Sequence, residues 1–181
     1  MNRTTLIQHL IDYRTRWPDE SPTVSRFIEF LSSRPDAFER SLPTGHVTGS
    51  AWLVDASGRH VLLTLHKKLN KWIQLGGHAD GDNDVFRVAM REAREESGLH
   101  SIKPVSSLIF DIDVHSIPAR PNEPAHLHWD IRYALRAAAG EEVIPSDESH
   151  ELRWVEIANL NRFTREPSMR RMAAKWMRPN G

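Results

Sequence analysis

The chain contains no cysteine among its 181 residues. That absence removes disulfide bridges, thiolate metal sites and cysteine nucleophiles in one step. Net charge is also missing, because 24 basic residues are balanced by 24 acidic ones. No overall field therefore recruits nucleic acid or an anionic membrane. Long apolar runs are absent too: nothing approaches the roughly 20 residues of a membrane span. The opening stretch MNRTTLIQHLIDYRTRW lacks the apolar core of a secretory signal. These absences lead to the expectation of a soluble, cytoplasmic protein. What is present is 39% hydrophobic residues and six tryptophans, enough for one sizeable core.

The first 44 residues read as helical. Leu6, Ile7, Leu10 and Ile11 recur at helical spacing until Pro18, and Ser21 followed by Pro22 marks a second helix start. Val24, Phe27, Ile28 and Leu31 form its apolar stripe. The period then changes. HVTGSAWLV and HVLLTLH are strand-like, with DASGR as the turn between them, and LIFDIDVH and HLHWDIRYAL alternate strictly. A proline-rich link, SIPARPNEPA, makes these two a long hairpin, and ELRW reads as a short last strand. Met169, Met172, Ala173, Trp176 and Met177 then define an amphipathic helix. Interleaved helices and strands with hairpins predict an α/β fold whose mixed sheet is covered by helices. The division expected is a helical extension over residues 1–44 and a main domain over residues 45–181.

Between these strands lies REAREESG, which crowds Glu92, Glu95 and Glu96 onto one helix. Its start is expected at Asp82–Asp84 and its end at Gly98, with Phe86, Ala89, Met90 and Ala93 on the buried arc. The glutamates occupy a neighbouring arc about 100° wide. Like charges three or four residues apart on a helix repel by a few tenths of a kcal/mol per pair. Arg91 reaches one of the three by its i+4 spacing, which leaves two carboxylates over. Convergent carboxylate oxygens suit a hard divalent cation such as magnesium. An ordinary solvated helix laced with ion pairs is the competing explanation.

The longer stretch GGHADGDNDVFRVAMREAREESGL resembles the Nudix box, a glycine, five residues, a glutamate, seven residues, then R-E-U-x-E-E-x-G-U with U a bulky aliphatic residue. Gly77, Arg91, Glu92, Glu95, Glu96, Gly98 and Leu99 match, seven of the nine fixed positions, while Asn83 and Ala93 depart from the pattern. The resemblance implies a Nudix-type α/β/α sandwich and hydrolysis of a pyrophosphate bond in a nucleoside diphosphate derivative, such as a nucleotide sugar or ADP-ribose. It implies Mg2+ or Mn2+ held by Glu92, Glu95, Glu96 and the carbonyl of Gly76. Glu95 and Glu96 would serve catalysis, and Arg91 would orient the glutamates. The implied partner is a small-molecule nucleotide, with neither nucleic acid nor membrane; a homodimer is allowed. Members of this family often take a further acid or base from a later loop, here PSDESHEL with Asp147, Glu148 and Glu151.

Ten histidines are many for this length. Pairing His115 with His126 across the hairpin would set Asp113 opposite His128 and Asp111 opposite Asp130. One face would then carry all six polar side chains and the other Phe110, Ile112, Val114, Leu127, Trp129 and Ile131. That polar face is either solvated or lines a substrate cleft with His78 and Asp80, in which case His126, His128 and Glu148 are candidate substrate contacts. A histidine zinc site stays open as the weaker reading, because no HxxxH-type spacing fixes a tetrahedron. Two other functions compete. Isopentenyl diphosphate isomerases of the same fold use a catalytic cysteine, which this chain lacks. A nucleotide-sensing module with lost or weak catalysis usually loses the metal glutamates, which this chain keeps.

Overall fold

A computed structural model describes residues 2–121, 124–147 and 149–178. Two helices come first, α1 (Arg3–Arg16) and α2 (Ser21–Ser33). They are followed by β1 (Gly45–Val54), β2 (His60–His66), β3 (Lys71–Ile73), β4 (Leu75–His78), α3 (Val85–Ser97), β5 (Ile102–Pro104), β6 (Asp111–Ile117), β7 (His126–Ala137), β8 (Ser149–Glu156) and α4 (Pro167–Trp176). The sheet is mixed. Strand β1 runs parallel to β7 along its whole length and antiparallel to β4 and β2 on its other side. Strands β3 and β8 extend it beyond β2, and β5 and β6 pair with β7.

Period-2 alternation on β1 sends its side chains to two different layers. Val47, Ala51 and Leu53 enter a core shared with α1, α2 and α3. Gly49 lies between them because α3 crosses there: a Cβ would fall 2.9 Å from the Val85 carbonyl. On the opposite face Trp52 and Val54 join a second core with Met169, Met172 and Ala173 of α4. The remaining side chains of that face, His46, Thr48 and Ser50, are buried and polar. These three positions begin the functional site.

The two N-terminal helices are docked by aromatic contacts. Trp129, on the apolar face of β7, stacks on Phe30 at 4.2 Å and meets Phe27 edge-on at 5.2 Å. The segment after α2 joins the sheet through main-chain bonds, Val47 N–H to the Ala37 carbonyl at 2.8 Å and Gly81 N–H to the Phe38 carbonyl at 2.9 Å.

Three sequence expectations shift. The hairpin register is two residues from that expected, with His115 opposite His128, Asp113 opposite Asp130 and Asp111 opposite Arg132. A two-residue slip preserves the face, so the polar and apolar sets stand. Each register sets one pair of aspartates opposite each other, Asp111 with Asp130 as expected and Asp113 with Asp130 as observed. What the observed register adds is Arg132 opposite Asp111, an opposite-charge pair bonded at 3.0 Å that favours the ladder. On α3 the fully buried stripe is Val85, Val88, Ala89 and Ala93, with Phe86 and Met90 only partly covered. At the chain's end Met177 falls outside α4 and is 57% exposed. Lys175 takes a place in the interior instead.

Candidate active site

Helix α3 begins at Asp84, whose carboxylate accepts the Arg87 N–H, and ends at Gly98 in the left-handed conformation. Its glutamates face the short strand β4 at graded depth. Glu96 is 5% exposed and accepts the Gly76 N–H at 2.8 Å. Glu92 is half-buried and accepts from Arg91 at 2.7 Å, while Glu95 is mostly exposed with Arg91 3.9 Å away. Arg91 also donates to the His78 carbonyl at 3.0 Å. One guanidinium thus ties the helix to the end of β4. The sequence assigned Arg91 to Glu95, and the closer partner is Glu92.

The two glycines of β4 are required by close approach. A Cβ on Gly76 would lie 2.2 Å from Ser50 Oγ, and one on Gly77 would lie 2.5 Å from the Glu92 carboxylate. Glycine here lets the carboxylates close onto bare backbone. They border a cleft of about 470 Å3. Gly76, Arg91, Glu92, Glu95 and Glu96 line it together with His78, Asp80, His126 and His128. Glu148 lies outside the described residues. Asp147 and Glu151 are not among the lining residues; the Asp147 carbonyl accepts from Lys67 at 2.7 Å and Glu151 pairs with Arg153.

Several lining residues escaped the sequence reading: His46's neighbours Thr48 and Ser50, then Gln74, Arg40, Lys68 and Arg120. The cleft floor is organised around buried Asp130, which accepts from Thr48 at 3.0 Å, Ser50 at 2.7 Å, Gln74 at 3.2 Å and Arg132 at 2.6 Å. Behind it, Arg132 meets Asp111, and Asp111 also receives Arg171 and Lys175 of α4. Tyr13 of α1 and Glu20, just before α2, close this chain of charges, Glu20 accepting from Tyr13 and from Lys175 at 2.6 Å each. Burial alone would raise the Asp113 carboxyl, but a hydrogen bond from His115 and the charges of Arg132 and Arg171 hold it well below the usual carboxylate range. The His128 imidazole is pulled down to about 2 by burial, reinforced by the neighbouring imidazoles of His78, His115, His46 and His126. It is neutral at pH 7.

Asn83, the departure from the glutamate pattern, is exposed and precedes the helix. Asp82 beside it is engaged by Arg87 at 2.7 Å. Asn83→Glu is therefore expected to change turnover by less than about tenfold, or roughly 1.4 kcal/mol of barrier. Steady-state kinetics of the two proteins checks this. A wild type inert toward a broad nucleotide panel, rescued by Asn83→Glu, would mark a lost catalyst.

The fold and site define a class: a helix-flanked mixed sheet with a glutamate-bearing helix clasped onto a glycine strand. Comparison with known proteins supplies its family. The NUDIX domain model matches residues 43–176, so the chain belongs to the Nudix family. Human m7GpppN-mRNA hydrolase NUDT17 is 34% identical over 92 residues, which is 47% of this chain and only 28% of that protein. Among solved structures, a NUDIX family hydrolase from Clostridium perfringens is 26% identical with a TM-score of 0.55, covering 72% of this chain and 95% of that one. The C. elegans Ap4A hydrolase in a binary complex reaches a TM-score of 0.58 at 16% identity over 72% of this chain and 93% of that one, a likeness of fold. Among the described residues no helix is long and apolar enough to cross a membrane.

Proposed function

We propose that the protein is a pyrophosphohydrolase of cytoplasmic nucleotides, cleaving a nucleoside diphosphate derivative by attack of water on phosphorus. The observation that carries this reading is the clasp of α3 on β4: Glu92, Glu95 and Glu96 border one cleft while Arg91 and the Gly76 N–H fix two of them. This donor set is all oxygen and crowded, with bare glycine beneath it, which fits Mg2+ or Mn2+ better than a soft metal. Glu92, Glu95, Glu96 and the Gly76 carbonyl would hold the cation. When bound, it supplies positive charge to the phosphoryl oxygens and acidifies the attacking water.

The chain's own groups do the rest by positioning. Arg91 holds Glu92 at the end of β4, and Gly76 fixes Glu96, so their carboxylates are oriented before substrate arrives. Glu95, the most exposed of the three, takes the proton of the attacking water. Arg40, Lys68 and Arg120 line the same cleft and suit the phosphates of an anionic substrate. His78, Asp80, His126 and His128 form the wall along which the rest of the substrate lies. Human NUDT17 is named for mRNA-cap hydrolysis and the C. elegans protein for Ap4A; these names put nucleotides linked through phosphates first in the test.

The test is a hydrolysis screen over nucleotide sugars, ADP-ribose, dinucleoside polyphosphates and nucleoside triphosphates, with products identified. Turnover with Mg2+ or Mn2+ that vanishes in excess chelator and returns on adding back the cation is expected. Full activity in chelator refutes the assignment.

A further inference from the structure

His46, His78 and His128 are brought to one point by three different strands. His46 and His128 are direct partners in the parallel β1–β7 ladder. His78 stands opposite Thr48, one same-face step along β1 from His46. The ring centroids form a nearly equilateral triangle, 4.9 Å from His46 to His78, 5.0 Å from His46 to His128 and 5.1 Å from His78 to His128. One nitrogen from each ring lies within 4.8 Å of the other two. His46 is only 1% exposed.

From this geometry we infer that His46, His78 and His128 form a second metal site, for a divalent transition ion of the zinc class. It shares no ligand with the glutamate site, although both open on one cleft, and its existence does not depend on the pyrophosphohydrolase reading. Ligand chemistry sorts the two: imidazole suits zinc, copper, nickel and iron, whereas carboxylates suit magnesium and manganese. The size is right. A tetrahedral ion with nitrogens at about 2.1 Å holds them about 3.4 Å apart. From separations of at most 4.8 Å the rings have about 1.4 Å or less to close. Side-chain torsions supply this while the ladder keeps the backbones still.

An outer partner is already in place. His126 Nδ1 lies 2.9 Å from the Pro124 carbonyl, which only accepts, so that nitrogen carries the proton. His126 Nε2 is then an acceptor, 3.2 Å from His128 Nε2, which must donate. Nδ1 is therefore the lone-pair nitrogen of His128. Fixing a histidine tautomer through its other nitrogen is how outer partners orient metal-bound imidazoles. His78 and His128 line the cleft, so an ion they held would be reachable from it. Three protein ligands with one open position is the arrangement of reactive rather than purely structural zinc sites.

The experiment titrates chelator-stripped full-length protein with Co2+ and with Zn2+ in excess Mg2+. Expected are one Co2+ equivalent with the visible absorption of nitrogen ligation, its displacement by Zn2+, and a Zn2+-dependent rise in melting temperature. His78→Asn and His128→Asn should each weaken binding by more than the roughly 10- to 100-fold that loss of an outer partner costs. His78 is half-buried at a strand end, which spares the fold, and circular dichroism verifies it. Glu92→Gln and Glu96→Gln should retain the Co2+ spectrum. No Co2+ absorption in the wild type, or a spectrum that survives both histidine variants or disappears with Glu96→Gln, overturns the proposal. Any of these outcomes leaves Mg2+-dependent turnover as a separate result.

Discussion

Replacing Glu96 with glutamine will lower turnover by about a hundredfold or more, or roughly 2.7 kcal/mol of barrier, on whichever substrate the screen selects. Glutamine keeps the shape and the carbonyl oxygen that accepts from Gly76, so the clasp between α3 and β4 survives. What disappears is a negative charge in a site only 5% exposed, where water screens little and charge counts most. Stability should change by less than about 1 kcal/mol, because losing one of three crowded carboxylates relieves repulsion. The measurement is kcat with Mg2+ in excess, paired with a melting curve. Near-wild-type turnover refutes the role of Glu96, and a collapsed melting temperature would make any activity loss uninformative about charge. Comparison with Asn83→Glu sharpens the result: one variant changes charge at a buried clasp, the other at an exposed loop, and only the first should matter strongly.

The same contrast explains what could be read from the sequence. The glutamates of α3 were legible because their spacing is local, and helix geometry turns spacing directly into a shared face. The sharing of one face by His126, His128 and Asp130 was legible for a similar reason, strand alternation. Long-range pairing was not. His46 became a neighbour of His128 only through the parallel β1–β7 ladder, which joins residues 82 positions apart with no local signal. Strand β4 is four residues long with two glycines, too short for a period to show. Thr48 and Ser50 lie in a strand-like stretch where nothing local identifies Asp130 as their acceptor. Lys175 is the clearest miss. Its amphipathic helix predicts a solvated lysine, yet it is 3% exposed because Asp111, Glu20 and Tyr13 converge on it from three separate elements.

That convergence yields the largest stability effect expected. Asp111 is fully buried and receives Arg132 at 3.0 Å, Arg171 at 2.8 Å and Lys175 at 2.6 Å. Asp111→Ala takes the shared carboxylate from three cations at once and leaves each with the weaker balance of its other partner, Arg132 with Asp130, Arg171 with Asp113 and Lys175 with Glu20. Breaking a buried ion pair from one side typically costs about 3–5 kcal/mol, mostly the penalty of the charge left uncompensated. For a chain of this size each kcal/mol moves the melting temperature by about 2–4 °C, so a drop of order 10 °C is expected. Lys71→Ala is the control. It breaks a 2.6 Å pair with Glu166 whose members are 57% and 39% exposed, and exposed pairs are worth about 0–1 kcal/mol. Acid should act on the same network with a definite sign. The Asp113 carboxyl titrates below its ordinary value in the folded protein, so its stabilisation is complete above the unfolded value of about 3.9 and is lost as pH falls further. Between pH 7 and pH 5 this group therefore contributes no loss. Calorimetry of wild type, Asp111→Ala and Lys71→Ala at pH 7 decides the main point. A shift of only a few degrees in Asp111→Ala, equal to that of Lys71→Ala, would mean that Asp130, Asp113 and Glu20 suffice to balance the three cations. The buried chain from Tyr13 to Asp130 would then not hold the cleft floor to the N-terminal helices.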